Sequence, residues 1–393
     1  MKSIDKVRDF KKRCEEMIKN FNHQKTIGIV GTTPDAFEFI LEANRLGFET
    51  YHLVRTEEER KTWLGADKQF VGTLDDNAIH DDFLMKSDLL VYFDYSLSSD
   101  QIEEAQKTVV IPQGDDLLSI ARDRVLQNAF KESLGVNIAP YETVVSVDNI
   151  KDGLRSIGYP AVLRTNYYDS DNEKQTYFLY DESDIEEASK LLKFGTCVLE
   201  SWIVTNHELS ITLVKTAMES LHLFPVVNKS YQSDRLSTVQ SPVEMEQDII
   251  HEIERVASLI AENIKFQGAI TIDFIVSPAQ ALYVGSIHPF PNLYSRHLEG
   301  SSTTSVSEAQ LRAITSMPLI DDIRENNEYV FVPFYENQRD IINELVLIYP
   351  SWKFTFYPVV KSELQVTNNA IGHISIHTSN MKKTMALLKE KRL

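Results

Sequence analysis

Apolar residues recur along this chain with two periods, one of two residues over short runs and one of three to four over longer runs. The run Lys25-Thr-Ile-Gly-Ile-Val-Gly31 reads as a buried strand ending in a turn. A helix over 35–46, Gly47 and a strand over 49–54 follow, which makes a β-α-β unit of a doubly wound domain. Apolar runs at 89–93 and 108–111 continue a parallel sheet, and Pro112-Gln-Gly114 marks a boundary. A helix over 117–134, stopped by Gly135, opens the next region. Strands at 143–147, 161–165, 175–180 and 197–200 then alternate with helices at 150–157 and 185–192, the pattern of a small α+β subdomain. Strands at 209–215 and 221–227, a helix over 247–264 and a hairpin complete this region. The hairpin pairs 269–276 with 282–289 across Ser277-Pro-Ala-Gln280. Beyond Pro318, strands at 329–333, 354–360 and 373–377 flank a helix over 337–349.

Ahead of all this, Ile4, Val7, Phe10, Cys14, Met17 and Phe21 recur at helical spacing and predict an amphipathic helix ending near Asn20. The predicted organisation is therefore a helix in 1–24, an α/β domain over 25–112, a second domain over 113–318 and a β-rich third domain over 319–393. The second domain contains the small subdomain, at about 138–200. The linkers are short, as expected of a compact molecule.

Composition narrows the function classes. A length of 393 residues fits two or three domains, and 42% hydrophobic with 25% charged residues is the make-up of a soluble globular protein. No apolar run reaches the ~18 residues that span a bilayer, and the charged start of the chain predicts no signal peptide. Two cysteines, Cys14 and Cys197, both on apolar faces, read as core residues in a reducing cytoplasm. A net charge of −18 disfavours nucleic acid, and a small anionic ligand would need a locally basic pocket. Gly28 and Gly31 are too closely spaced for a dinucleotide fingerprint, and Val54 or Arg55 stands where its acidic residue belongs, so no NAD site is expected. One carboxylate, Asp273, sits on the first strand of the hairpin, and the second strand carries Gly285 and Ser286.

A series of strings, in order over roughly residues 25–380, resembles the 5-(carboxyamino)imidazole ribonucleotide synthetase (PurK) family of ATP-grasp ligases. Among them are Ile27-Gly-Ile-Val-Gly31, Ala121-Arg-Asp123-Arg124, Gly158-Tyr-Pro-Ala-Val-Leu-Arg164-Thr165, Cys197-Val-Leu-Glu200, His207-Glu208-Leu-Ser210, Phe224-Pro-Val-Val227, Pro289-Phe-Pro291 and Ile371-Gly372-His373. The resemblance implies a mixed α/β and α+β fold: a three-domain ATP-grasp architecture whose N-terminal doubly wound domain precedes the grasp. It also implies a cytoplasmic homodimer that uses ATP, Mg²⁺ and bicarbonate to carboxylate aminoimidazole ribonucleotide in purine biosynthesis. By position it assigns ATP binding to Arg164, Glu200, Ile203 and Glu208, Mg²⁺ to Asp273 and the ribonucleotide phosphate to Lys361, and it identifies no catalytic residue.

The chain departs from that pattern where the chemistry is densest. Gly285 and Ser286 stand where the family has Asn and Glu, and the segment 166–175 has no glycine and carries Glu173 at the position of a Lys. Asn228, Lys229, Tyr231 and Gln232 replace the residues near the carboxyphosphate, and Gln365 and 367–370 replace phosphate-binding arginines. His288, Arg296 and His297 are left either as a different anion site or as packing residues. These departures predict a weak or lost activity. Two alternatives stay open: a nucleotide-binding or regulatory module, and a ligase for another substrate.

Overall fold

The computed structural model of the chain describes residues 25–168, 176–232, 235–297, 302–319, 323, 328–358, 369–391 and 393. The expected N-terminal helix with Cys14, the positions Glu173 and Lys174, and Lys361 with Gln365 lie outside the described residues. The N-terminal β-α-β unit is formed as expected. Strands β1 (Thr26–Val30), β2 (Glu49–Val54), β3 (Lys68–Val71) and β4 (Leu89–Tyr92) form a parallel sheet of order β3-β2-β1-β4. Every residue of β1 is buried, because the crossover helices of a parallel sheet cover both of its faces. Helix α1 (Pro34–Arg45) starts where the Thr33 hydroxyl accepts from the Ala36 amide at 3.2 Å, with Pro34 in the first turn. Helices α2 (Glu57–Thr62) and α3 (Ser99–Gln106) each begin in a capping box. The run at 108–111 contributes only a single parallel bridge, Val110 to Leu89.

The helix expected over 117–134 is two helices, α4 (Asp116–Arg122) and α5 (Arg124–Ser133), broken at Asp123. Asp123 is extended and caps α5 through the Leu126 amide at 2.9 Å, and it also bridges to Tyr167. The Tyr168 amide donates to the Arg122 carbonyl at 2.8 Å, so the break stitches this helix pair to the small sheet. That sheet, β5 (Tyr141–Val144), β6 (Ala161–Thr165), β7 (Thr176–Leu179) and β8 (Cys197–Ser201), is antiparallel in the order β5-β8-β6-β7. Helix α6 (Val147–Ile157) backs it, burying Ile150 and Leu154 at four-residue spacing. The helix expected over 185–192 divides into Ile185–Ala188 and a 3₁₀ segment, Ser189–Phe194.

The largest sheet contains β9 (His207–Lys215), β10 (Leu221–Leu223), β11 (Val227–Gln232), β12 (Arg235–Ser241), β13 (Gly268–Val276) and β14 (Leu282–His288). It continues into β15 (Glu328–Phe334), β16 (Lys353–Phe356) and β17 (Gly372–Thr378). Its order is β14-β13-β9-β11-β12-β15-β17-β16, with β10 paired to β9. The strands after Pro318 thus join this sheet through the antiparallel β12–β15 pair. Helix α7 (Gln247–Glu262) covers one face with Ile253, Val256, Ala257, Ile260 and Ala261, a three-and-four spacing. Helix α8 (Val306–Ile314) packs between α1 and the sheet, and α9 (Arg339–Ile348) and α10 (Met381–Glu390) cover the far end. No described helix is long and apolar enough to cross a membrane.

One irregularity shapes the site. On the β13–β14 hairpin, Ile272 pairs with Ile287 and Phe274 with Val284, so Gly285 and Ser286 together oppose Asp273. This is a β-bulge, which bends the strand and frees backbone groups from the ladder. Helix α5 takes up three of the neighbouring groups. Gln127 accepts from the Ile287 amide at 3.1 Å and donates to its carbonyl at 3.3 Å, and the Lys131 ammonium donates to the Gly285 carbonyl at 3.0 Å. Burial pushes Lys131 down to about 8, with the neighbouring Glu200 opposing the shift and Arg124 and Arg164 adding to it.

Two tests follow from these placements. Gly31 has a φ of +118°, and a Cβ there would lie 2.8 Å from the Phe93 carbonyl oxygen, whereas Gly47, with a φ of +84°, has open space around it. Gly31→Ala should therefore cost roughly 2–3 kcal/mol and Gly47→Ala roughly 1 kcal/mol in urea unfolding; the reverse order would rule out the close approach. Lys131, with its depressed folded pKa, is a penalty at low pH. The unfolded chain holds the extra proton up to the ordinary lysine pKa of ~10.4, so stability rises with pH from about 8 upward. Relative to Lys131→Met, the wild type should gain on the order of 2 kcal/mol between neutral pH and roughly pH 10. Parallel pH–stability profiles for the two proteins would contradict that burial.

Candidate functional site

Asp273 projects from the middle of β13 beside Ser210 of β9, with β11 one strand further on. In β11, Lys229 keeps phase with the buried Val227 and so faces the same side of the sheet. Its ammonium crosses β9, where Ser210 presents only a short side chain, and meets Asp273 Oδ1 at 2.8 Å. The other carboxylate oxygen accepts from the Tyr294 hydroxyl at 3.0 Å and faces His288 Nε2 at 3.1 Å. The second nitrogen of His288 lies 3.0 Å from the Tyr95 hydroxyl, which belongs to the N-terminal domain. Lys229 also sits over the Tyr294 ring, 4.3 Å from its centroid. Burial alone would push the Asp273 carboxyl up. The Lys229 ammonium and His288 overcome it and hold Asp273 well below the ordinary carboxylate range.

A second cluster adjoins the first. Arg164 on β6 lies 3.5 Å from Glu200 on β8, too long and poorly aimed for its buried Nε to count a hydrogen-bond partner. Glu200 also accepts from Asn128 Nδ2 at 3.2 Å. Burial raises the Glu200 carboxyl, but Arg164, Lys131 and Asn128 more than offset it, leaving a net downward shift. Arg124, at the start of α5, stacks its guanidinium 4.8 Å over the Tyr168 ring, which in turn stacks on Tyr95. Glu208 stands opposite Lys229 in the β9–β11 ladder; burial and Asp273 raise its carboxyl and Lys229 opposes them. Arg124, Lys131, Arg164 and Lys229 make this cleft locally basic in a chain of net charge −18, the condition set above for an anionic ligand.

Of the residues expected to bind ATP, Arg164 and Glu200 are neighbours, and the Arg164 charge also reaches Glu208. Ile203 is half-buried in the 202–206 link between β8 and β9. The donor set around Asp273 does not fit Mg²⁺, which asks for about six oxygen ligands at ~2.0–2.1 Å. Here both carboxylate oxygens are held by protein donors, and the Gly285 carbonyl is held by Lys131. Among the described residues, no three His, Cys, Asp or Glu side chains come together to hold a metal ion. His288 and Arg296 are drawn to different partners, the latter to Asp35 of α1 at 2.7 Å. Cys197 is fully buried in the small subdomain's core.

Lys229 and Tyr294 escaped the sequence reading as partners of Asp273, and Tyr95 as the partner of His288. The signal for Lys229 was its position two residues after a buried valine in an alternating run; Tyr95 has none, because its contact depends on domain packing, and Tyr294 has none, because it lies in the irregular turn after β14. A small cavity of about 90 Å³ opens elsewhere, at the carboxyl ends of the parallel strands, lined by Gly31, Arg55, Gly72 and Asp94. Its Arg55 is paired to Asp94 at 2.6 Å.

An ATP-grasp domain family model matches residues 129–292, the span that contains both clusters except Tyr95, Arg124, Asn128 and Tyr294. The N5-carboxyaminoimidazole ribonucleotide synthase of Staphylococcus saprophyticus is 23% identical over 367 residues, covering 93% of this chain and 96% of the relative. The Bacillus subtilis protein of the same name is 26% identical over 233 residues, 59% of this chain and 61% of the relative. Among solved structures, the N5-carboxyaminoimidazole synthetase of Staphylococcus aureus complexed with ADP superposes with a TM-score of 0.87 at 22% identity, covering 93% of this chain and 96% of that one. The Aspergillus clavatus N5-carboxyaminoimidazole synthase in complex with ADP and 5-aminoimidazole ribonucleotide gives 0.83 at 15% identity, covering 94% and 98%. The chain therefore has the ATP-grasp fold, with the ATP-grasp domain at residues 129–292, and over nearly its whole length it is similar to proteins of the PurK family.

Proposed function

We propose that this protein binds an adenine nucleotide in the cleft between the small sheet and the large one, and that carboxylation of aminoimidazole ribonucleotide with ATP and bicarbonate is weak or lost in it. Support for the nucleotide comes from the basic cluster of Arg124, Lys131 and Arg164 and from the buried Arg164 Nε without a hydrogen bond. In this reading the guanidiniums take the phosphates, Glu208 accepts from the ribose hydroxyls, and the backbone around Ile203 meets the adenine edge. The Staphylococcus aureus and Aspergillus clavatus relatives, named above for their ADP complexes, occupy the same fold.

The observation that argues against efficient ligation is the Lys229–Asp273 pair at 2.8 Å, on the strand that would have to hold metal for phosphoryl transfer. Phosphoryl transfer rests on positioning and charge neutralisation, and each lost electrostatic contact commonly removes a factor on the order of 10²–10³ in rate. The cleft therefore keeps the parts that bind a nucleotide and has exchanged those that react it.

Calorimetric titration with ADP should show micromolar-to-millimolar affinity, roughly 4–8 kcal/mol. Arg164→Ala and Glu208→Ala should each weaken it by about tenfold, roughly 1.4 kcal/mol. Unchanged affinity in both variants would move the nucleotide out of this cleft. In a coupled ADP-release assay with bicarbonate, addition of aminoimidazole ribonucleotide should leave turnover below ~1 s⁻¹, the low end for ordinary enzymes. Stimulated turnover above that value would restore the ligase reading.

A further inference from the structure

We infer that the Lys229 ammonium is a built-in cation at Asp273: it takes the place a divalent ion would have on this strand, so that the cleft excludes divalent metal and takes its nucleoside phosphate as the metal-free species. The inference rests on the nucleotide reading above for its ligand, and on the structure alone for its cation.

Three placements carry it. First, Lys229 is buried, with only 3% of its side chain exposed, and Asp273 Oδ1 lies 2.8 Å from its ammonium. A divalent ion could reach Oδ1 only by displacing a buried ammonium and leaving it uncompensated, the costly case for any buried charge. Second, the remaining oxygens are closed. Oδ2 has Tyr294 at 3.0 Å and His288 at 3.1 Å, and the Gly285 carbonyl has Lys131 at 3.0 Å. Each of the two backbone or carboxylate oxygen sources nearest the bulge is thus occupied by a lysine. Third, the bulge sets Gly285 and Ser286 opposite Asp273, so the facing strand offers no carboxylate there and has little room for a side chain at Gly285. A Cβ at Gly285 would lie 3.0 Å from Asp273 Cβ and 3.2 Å from its carbonyl oxygen.

The electrostatic consequence is specific. A bare carboxylate would repel a phosphate chain, and a bound metal ordinarily cancels that repulsion. The ion pair cancels it internally, and Arg124 and Arg164 supply the positive charge the phosphates meet. A nucleotide already complexed by Mg²⁺ brings a cation for which neither Asp273 nor the Gly285 carbonyl has a free oxygen.

Mn²⁺ serves as the probe, because its paramagnetism reports binding without turnover. In the wild-type protein, Mn²⁺ up to millimolar concentration should leave the ring resonances of His288 and Tyr294 unbroadened. Lys229→Met should create a Mn²⁺ site at least about tenfold tighter, roughly 1.4 kcal/mol, and Lys229→Met with Asp273→Asn should remove it. Wild-type ADP affinity should change by less than about threefold between excess Mg²⁺ and EDTA, roughly 0.7 kcal/mol. Broadening of His288 and Tyr294 in the wild type would overturn the inference even if neither variant folds. So would ADP affinity that rises about tenfold or more with Mg²⁺. Failure of ADP to bind under either condition would instead remove the nucleotide reading and leave the cation decided by Mn²⁺.

Discussion

A single carboxylate holds together parts of the chain that are far apart in sequence. Asp273 receives Lys229 from β11, His288 from its own hairpin partner and Tyr294 from the turn that follows, and His288 passes the connection on to Tyr95 in the first domain. Taking such a charge out of water is expensive unless every lone pair finds a donor. The surrounding residues therefore have little freedom. Lys229 must cross β9 where Ser210 is small, the hairpin must bulge to aim Asp273, and α5 must begin where it does for Gln127 and Lys131 to reach the bulge. The aromatic stack of Tyr168, Tyr95 and Phe290 closes over the same cluster and seats the first domain against the second.

The break at Asp123 belongs to the same economy of position. One continuous helix over 116–133 would have satisfied its own backbone but carried Arg122 and Arg124 away from the small sheet. Interrupting it lets Asp123 bridge Tyr167 and lets Arg124 lie on Tyr168, which brings a guanidinium into the cleft. A chain with an excess of acidic residues thereby presents a basic cluster in this cleft because α5, the small sheet and the large sheet each deliver a cation to it.

Much of the fold was legible because it rests on local periodicity. The N-terminal β-α-β unit, the 269–276 and 282–288 hairpin and the α7 stripe all carry clear two-residue or helical spacing, and strands β15 and β17 fall within a residue of expectation. What escaped was non-local. The 117–134 run is helical at every position, so nothing within it announces that a pairing to Tyr167 wins at Asp123. The strand pair β11–β12 is polar and short, and it takes its order from the neighbours on either side. The candidate site shows the same division. The placement of Arg164 beside Glu200 follows from adjacent strands, whereas the pairing of Lys229 with Asp273 depends on a register set across three strands. A lone acid on a strand invites a metal until the cation that neutralises it is seen in three dimensions.

The joining of β12 to β15 has a mechanical consequence. Since the large sheet runs unbroken from β14 to β16, the C-terminal strands are fixed to the strand that carries Lys229 by a continuous ladder of backbone hydrogen bonds. That half of the molecule acts as an anvil. The small sheet is tied to it by the 202–206 link, by the 134–140 link whose Asn137 bonds to β14, and by the contacts around Asp123 and Tyr168. The Tyr168 stack then joins the small sheet, α5 and the first domain at one aromatic contact, separate from the charges beneath it.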